Sequence, residues 1–161
     1  MRFKLILILS ILLIFGNTAT AEELHIIVSG KANHYTDQKL NEDNSGWGFE
    51  YDFDKRGNWI PFITGASFLD SNKQTSKYLG AGAKRRYRLG WSFSDFHLDA
   101  GVFAFLMRRH DIKNNDPYLA ALPFISLGNS WAAINMTYVP KIGPNSIAFT
   151  YYQISFKLVA F

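Results

Sequence analysis

From residue 22 onward the chain breaks into eight runs of strand-like composition, and no stretch sustains apolar residues at the three- and four-residue spacing of a packed helix. The runs are Leu24–Tyr35, Trp47–Asp54, Trp59–Phe68, Ser76–Trp91, Phe96–Arg109, Tyr118–Leu127, Trp131–Val139 and Ile147–Phe161, divided by segments rich in Asn, Asp, Gly, Ser and Lys. An even number of antiparallel strands can close into a barrel without open edges, which is what hydrocarbon requires of a spanning sheet. The expected fold is all-β, an eight-stranded antiparallel transmembrane β-barrel. Connection lengths give it a direction: Lys55–Asn58 and Ser92–Asp95 are tight, whereas Thr36–Ser45, Leu69–Thr75 and His110–Pro117 are longer and polar. Short turns of such barrels face the periplasm and long loops face outward. The aromatic share of 16%, with 14 Phe, 8 Tyr and 4 Trp, suits residues gathered at membrane interfaces.

The first 21 residues have a different character. Arg2 and Lys4 precede an apolar run from Leu5 to Phe15, and Ala19-Thr20-Ala21 supplies a small-residue cleavage site. The run is about half the roughly 20 residues a spanning helix needs, so it predicts a cleavable signal peptide. The expected organisation is a signal peptide over 1–21 and one barrel domain over 22–161. With no cysteine in the chain, lipoprotein anchoring, disulfides, zinc–cysteine sites and thiol nucleophiles are excluded. The net charge of +4 includes Arg2 and Lys4, which leaves +4 − 2 = +2 after cleavage, too little to imply a nucleic-acid partner.

Several ordered segments carry a further signal: Asn41-Glu42 with Gly46-Trp47-Gly48-Phe49, Asp54-Lys55-Arg56-Gly57-Asn58-Trp59, and Phe68-Leu69-Asp70-Ser71. Phe96-His97-Leu98, Leu122-Pro123-Phe124-Ile125-Ser126-Leu127-Gly128 and Met136-Thr137-Tyr138-Val139-Pro140 follow. In order and approximate spacing this set resembles the PagP family of lipid A palmitoyltransferases over most of residues 25–161. The resemblance implies an outer-membrane acyltransferase that moves a palmitoyl chain from a phospholipid donor in the outer leaflet to a lipid A or lipopolysaccharide acceptor. It also implies a catalytic histidine and an Asp-Ser pair at the outer mouth. Asp70-Ser71 matches that pair, and His34, at the outer end of the first strand, matches the histidine with a gap in the first loop. His25 lies near the strand start, on the periplasmic side. A neutral imidazole can accept a proton from Ser71 or otherwise polarise the attacking group, with Asp70 as an orienting residue. Read without the resemblance, Asp-Ser is also ordinary turn chemistry. His97 reads as an interface or lumen residue and His110 as a loop residue.

Substrate access points to two more places. Proline cannot donate to a strand ladder, so Pro123 and Pro140 at the edges of neighbouring strands either open a lateral lipid gate, as the resemblance implies, or mark a bulge and a strand end. Gly80-Ala81-Gly82 removes side-chain volume from the fourth strand, and the resemblance places the acyl-chain pocket at Gly82; relief of barrel curvature is the other reading. The family's second proline opening, beside the first strand, has no counterpart in this sequence. The basic run Lys84-Arg85-Arg86-Tyr87-Arg88 falls toward the periplasmic end, in a polar lumen or at a solvated interface. Lys73, Lys77, Arg108, Arg109 and Lys113 lie nearer the outer mouth, where they suit lipid A phosphates or are solvated loop charges. No pattern has metal-ligand spacing, no cofactor is expected, and a monomer is expected. The family carries an amphipathic helix before its first strand, and cleavage after Ala21 leaves almost nothing before Leu24. A lipid esterase that delivers the acyl group to water and a non-catalytic structural barrel are the alternative functions.

Overall fold

The computed structural model describes residues 22–90, 92, 95–112, 115–141 and 146–161. The expected signal peptide therefore lies outside the described residues, as do Trp91 and Lys113. Eight strands form one closed antiparallel barrel in which each strand pairs with its neighbours in sequence and β1 closes against β8. They are β1 (Glu23–His34), β2 (Asp43–Asp52), β3 (Ile60–Leu69), β4 (Thr75–Arg88), β5 (His97–Arg108), β6 (Tyr118–Gly128), β7 (Ala132–Val139) and β8 (Phe149–Ala160).

The period of two that built the expected strands sorts side chains between lumen and exterior. Leu79, Val102, Leu106, Leu119, Ile125, Leu127, Ile134 and Ile154 project outward and are exposed. A belt of this kind needs hydrocarbon rather than water around it. Trp59, Tyr87 and Trp131 flank it toward the tight turns, and Tyr35, Trp47 and Tyr138 toward the long loops. No described helix is long and apolar enough to cross a membrane; this barrel crosses with strands.

Inside, the character changes along the axis. The middle is lined by rings in mutual contact: Phe62 and Phe103 each meet Phe124 edge to face, Phe103 stacks on Phe105, and Phe68 bridges Tyr78 and Tyr151. The tight-turn end is ionic. Lys84, buried, bridges Glu50 and Asp52 at 2.7 Å each from the far side of β3, and Arg86 chelates Asp99. The basic run thus divides by parity, with Lys84 and Arg86 in the lumen and Arg85 outside, its guanidinium 5.2 Å from the Tyr87 ring centroid.

Two boundaries differ from expectation for physical reasons. β2 begins at Asp43, four residues before Trp47, because its polar residues face a polar lumen: Asn44 is buried and donates to the Leu69 carbonyl at 2.7 Å. The β4–β5 connection is longer than Ser92–Asp95, since β4 ends at Arg88 and β5 starts at His97. The β2–β3 turn is as tight as its composition suggests. Arg56 and Trp59 exchange backbone hydrogen bonds across Gly57-Asn58, and Gly57 supplies a φ of +62° at the first central position.

Candidate active site

His34 reaches the lumen through a count of residues. Along β1 the inward positions run Ile27, Ser29, then Ala32 and His34, so parity changes at Gly30. Against β8, Ser29 opposes Gln153 and Lys31 opposes Tyr152, which leaves Gly30 as the extra residue of a bulge. Were Gly30 paired in regular alternation instead of bulged, Lys31 and Asn33 would face inward and His34 would face lipid.

Ser71 arrives from the β3–β4 turn. That turn closes with Asp70 N donating to the Gln74 carbonyl and Lys73 N to the Asp70 carbonyl, and Lys73 takes the left-handed conformation at φ 61°. Asn41 ties the turn to the first loop, since its backbone N–H donates to the Ser71 carbonyl and its side chain to the Asp70 carbonyl, each at 3.0 Å. Held by these contacts, Ser71 Oγ stands 2.8 Å from His34 Nε2. Phe149 packs against the imidazole with ring centroids 5.2 Å apart. With the ring proton on Nδ1, Nε2 accepts from the serine hydroxyl, which is the proton-transfer geometry of a Ser–His pair.

Asp70 is adjacent in sequence but turned elsewhere. Its Oδ1 accepts from the backbone N–H groups of Asn72 and Gln74, and its Oδ2 from Ser76 Oγ at 2.9 Å. His34 Nδ1 is buried and has no hydrogen-bond partner among the described residues. The three residues therefore do not form a Ser–His–Asp relay: Asp70 organises the turn that carries Ser71. Asn41 and Ser76, which hold that arrangement, carry no recognisable motif beyond the position of Asn41 in one of the matched segments.

Other mouth residues are spoken for. Arg109 makes a two-point contact with Asp111, which accepts from Asn72 as well, and Arg108 donates to the Asn115 carbonyl. In the loop, Asp111 is buried enough to raise its carboxyl pKa, but the Arg109 hydrogen bond and charge outweigh that and lower it. His110 borders a cavity of about 310 Å³ beside Asp70, Asn72 and Gln74. His25 and His97 lie at the opposite end, in the ionic lumen.

The wall is incomplete between β6 and β7. Their pairing runs from Gly128↔Ala133 to Phe124↔Thr137 and stops at Pro123, although β6 continues outward from Pro123 to Tyr118 paired to β5. Pro140 follows the end of β7 directly. Gly82 faces the lumen, and the space its missing side chain leaves is occupied: a Cβ there would lie 2.6 Å from Phe62 Cζ and 2.4 Å from the Val102 carbonyl oxygen.

Residues 16–153 match the family described as "Antimicrobial peptide resistance and lipid A acylation protein PagP". A protein named "Lipid A acyltransferase PagP" from Methylobacillus flagellatus is 32% identical over 114 residues, 68% of this chain and 60% of that protein. One of the same name from Proteus mirabilis is 31% identical over 110 residues, 66% of this chain and 51% of that protein. The chain thus spans less than two thirds of the length of these relatives. Among solved structures, the Yersinia pestis outer membrane protein Ail in a phospholipid bilayer nanodisc aligns with a TM-score of 0.46 at 13% identity, covering 84% of this chain and 99% of that one. With the family match extending over most of the chain and a closed eight-stranded barrel beneath it, the chain belongs to the PagP family of outer-membrane proteins.

Proposed function

We propose that this barrel is an acyltransferase that moves a palmitoyl chain from a phospholipid in the outer leaflet to lipid A, with His34 and Ser71 as its catalytic residues. The observation that carries the reading is the 2.8 Å contact between His34 Nε2 and Ser71 Oγ at the loop end of the barrel. Family membership and the names of the relatives support the acyl chemistry and the acceptor.

The overall exchange breaks one ester and makes another. The donor's acyl carbon leaves its glycerol oxygen, which takes up a proton, while an acceptor hydroxyl loses a proton and bonds to the acyl carbon. His34 handles the proton in either of two routes: Ser71 attacks first and holds the acyl group as an ester, or the acceptor hydroxyl attacks directly with Ser71 as its guide. Supplying donor without acceptor separates them, because only the first route accumulates acyl-Ser71. The donor's acyl chain enters through the gap above Pro123 and Pro140 and lies among the lumen rings. Phe62 and Gly82 together bound its depth. Because β1 pairs with β8, the sheet has no terminal edge strand to offer a second copy, which supports a monomer.

The test is mass spectrometry of lipid A from cells making the chain, alongside His34→Ala and Ser71→Ala at equal outer-membrane levels. A palmitate-sized gain that falls by about 10²–10⁴-fold in rate in the His34 variant supports the assignment. Loss of acyl mass would point to an esterase. An unchanged lipid A, with folded barrel and donor present, would leave a structural barrel.

A further inference from the structure

We propose that Glu23, His25 and Asp52 form a binding site for a divalent transition-metal ion, zinc in class, at the tight-turn end of the lumen. Glu23 and His25 stand two residues apart on β1 and so share its inner face; Asp52 ends β2 beside them, paired in register with Glu23. One ligand atom from each lies within 4.8 Å of the others.

The distances decide between two explanations of the cluster. His25 Nε2 is 3.4 Å from Glu23 Oε2 and 3.7 Å from Asp52 Oδ2. An N–H···O hydrogen bond closes to about 2.9 Å, so both gaps are too wide. Two ligands of a tetrahedral ion at 2.0–2.2 Å are held roughly 3.3–3.6 Å apart, close to what is found. Orphaned atoms agree: Glu23 Oε2, His25 Nε2 and Asp52 Oδ1 are buried without a hydrogen-bond partner among the described residues, and Asp52 Oδ2 meets the Lys84 ammonium at 2.7 Å. Asp52 is only 2% exposed. Leaving such groups unmade is costly unless something else completes them.

Neighbouring cations account for part of this charge and leave a remainder. Lys84 pairs with Asp52 and Glu50, Arg86 with Asp99 and, at 3.6 Å, with Glu23, and Lys157 donates to Glu23 Oε1. Carboxylates Glu23, Glu50, Asp52 and Asp99 number four against three cations, Lys84, Arg86 and Lys157, so 4 − 3 leaves one negative charge with the histidines neutral. A divalent ion whose fourth ligand is hydroxide brings the cluster to neutrality. A cavity of about 220 Å³ lined by Glu23 and His25 extends to Asn129 and Ser130 of the β6–β7 turn and gives that ligand room and the ion a path. Imidazole with two carboxylates suits zinc among the common ions. Such an ion would fasten the start of β1, the strand that closes the barrel against β8.

The folded chain in detergent, stripped with chelator, is titrated with Zn²⁺ against a chromophoric competitor and separately with Co²⁺. One zinc per chain and the visible absorption of four-coordinate cobalt are expected. His25→Gln and Asp52→Asn weaken binding at least about tenfold, while His97→Gln and His110→Ala leave it unchanged. Heat-modifiable gel migration identifies folded variants. If Asp52→Asn does not fold, Glu23→Gln at the first position of β1 and the cobalt spectrum of the unmodified chain decide. No stoichiometric binding, an octahedral cobalt spectrum, or binding that survives the His25 and Glu23 changes overturns the proposal.

Discussion

Asp70 Oδ1 serves two turn N–H groups and Oδ2 serves a buried hydroxyl, so its carboxylate has little left to offer a substrate. This gives neighbouring residues separable roles. Asp70→Ala removes three hydrogen bonds to a charged acceptor and should lower barrel stability by about 1–3 kcal/mol, read from urea unfolding in lipid vesicles. Acyl transfer should fall with it, because Ser71 loses its 2.8 Å approach to His34. Asp70→Asn keeps an oxygen for the two turn N–H groups and should retain more of both. Ser71→Ala, by contrast, should abolish transfer with a stability change within about 0.5 kcal/mol. Equal stability in all three variants, with activity lost in all, would show that Asp70 acts on the reaction itself. The resemblance to a known family made the His34 and Asp70-Ser71 positions legible in the sequence. The orientation of Asp70 was not, because a dipeptide states which side chains are adjacent and not which way a turn sends them.

At the scale of elements, β1 shows how a strand's register selects a functional side chain. Gly30 is extra relative to β8, and bulging it outward beside Lys31 keeps Ala32 and His34, rather than Lys31 and Asn33, on the lumen face. Deleting Gly30 removes the bulge together with its extra residue, so Ser29, Ala32 and His34 still alternate into the lumen against the same β8 partners, and a heat-modifiable barrel that retains acyl transfer is expected. Gly30→Ala should keep activity, since it preserves the count and its Cβ would meet only the Tyr152 carbonyl oxygen at an ordinary 3.5 Å. A deletion variant that folds but is inactive would mean that His34 depends on the local bend of the bulge and not on its face alone. The strands themselves were readable because their outward faces are apolar: Leu79, Leu106, Leu119 and Ile134 mark them plainly. Their ends were not, where lumen polarity imitates loop composition. Asp43-Asn44-Ser45 reads as a linker until Asn44 is seen buried on the Leu69 carbonyl. Glu23, His25 and Asp52 escaped notice for a related reason. Facing one lumen from two strands, they are brought together by pairing across the barrel and not by any local spacing.

For the whole molecule, function depends on which end of the barrel faces out. His34 and Ser71 share an end with the connections 35–42, 70–74 and 109–117, while the ionic lumen shares the other with the turn at Gly57-Asn58. An acyl donor drawn from the outer leaflet and an acceptor resident there require the first end to be external, as barrels with long outer loops arrange it. The absence of cysteine from the chain makes the orientation measurable without background labelling. Single cysteines at Gln38, an exposed loop position, and at Asn58, an exposed turn position, report opposite ends. In intact cells a membrane-impermeant maleimide should label Gln38→Cys and leave Asn58→Cys untouched, and both should react once the outer membrane is permeabilised. Labelling of Asn58→Cys alone in intact cells would put the Ser–His pair in the periplasm. The same pair would then face inner-leaflet phospholipid, and transfer to surface lipid A would have no geometric basis.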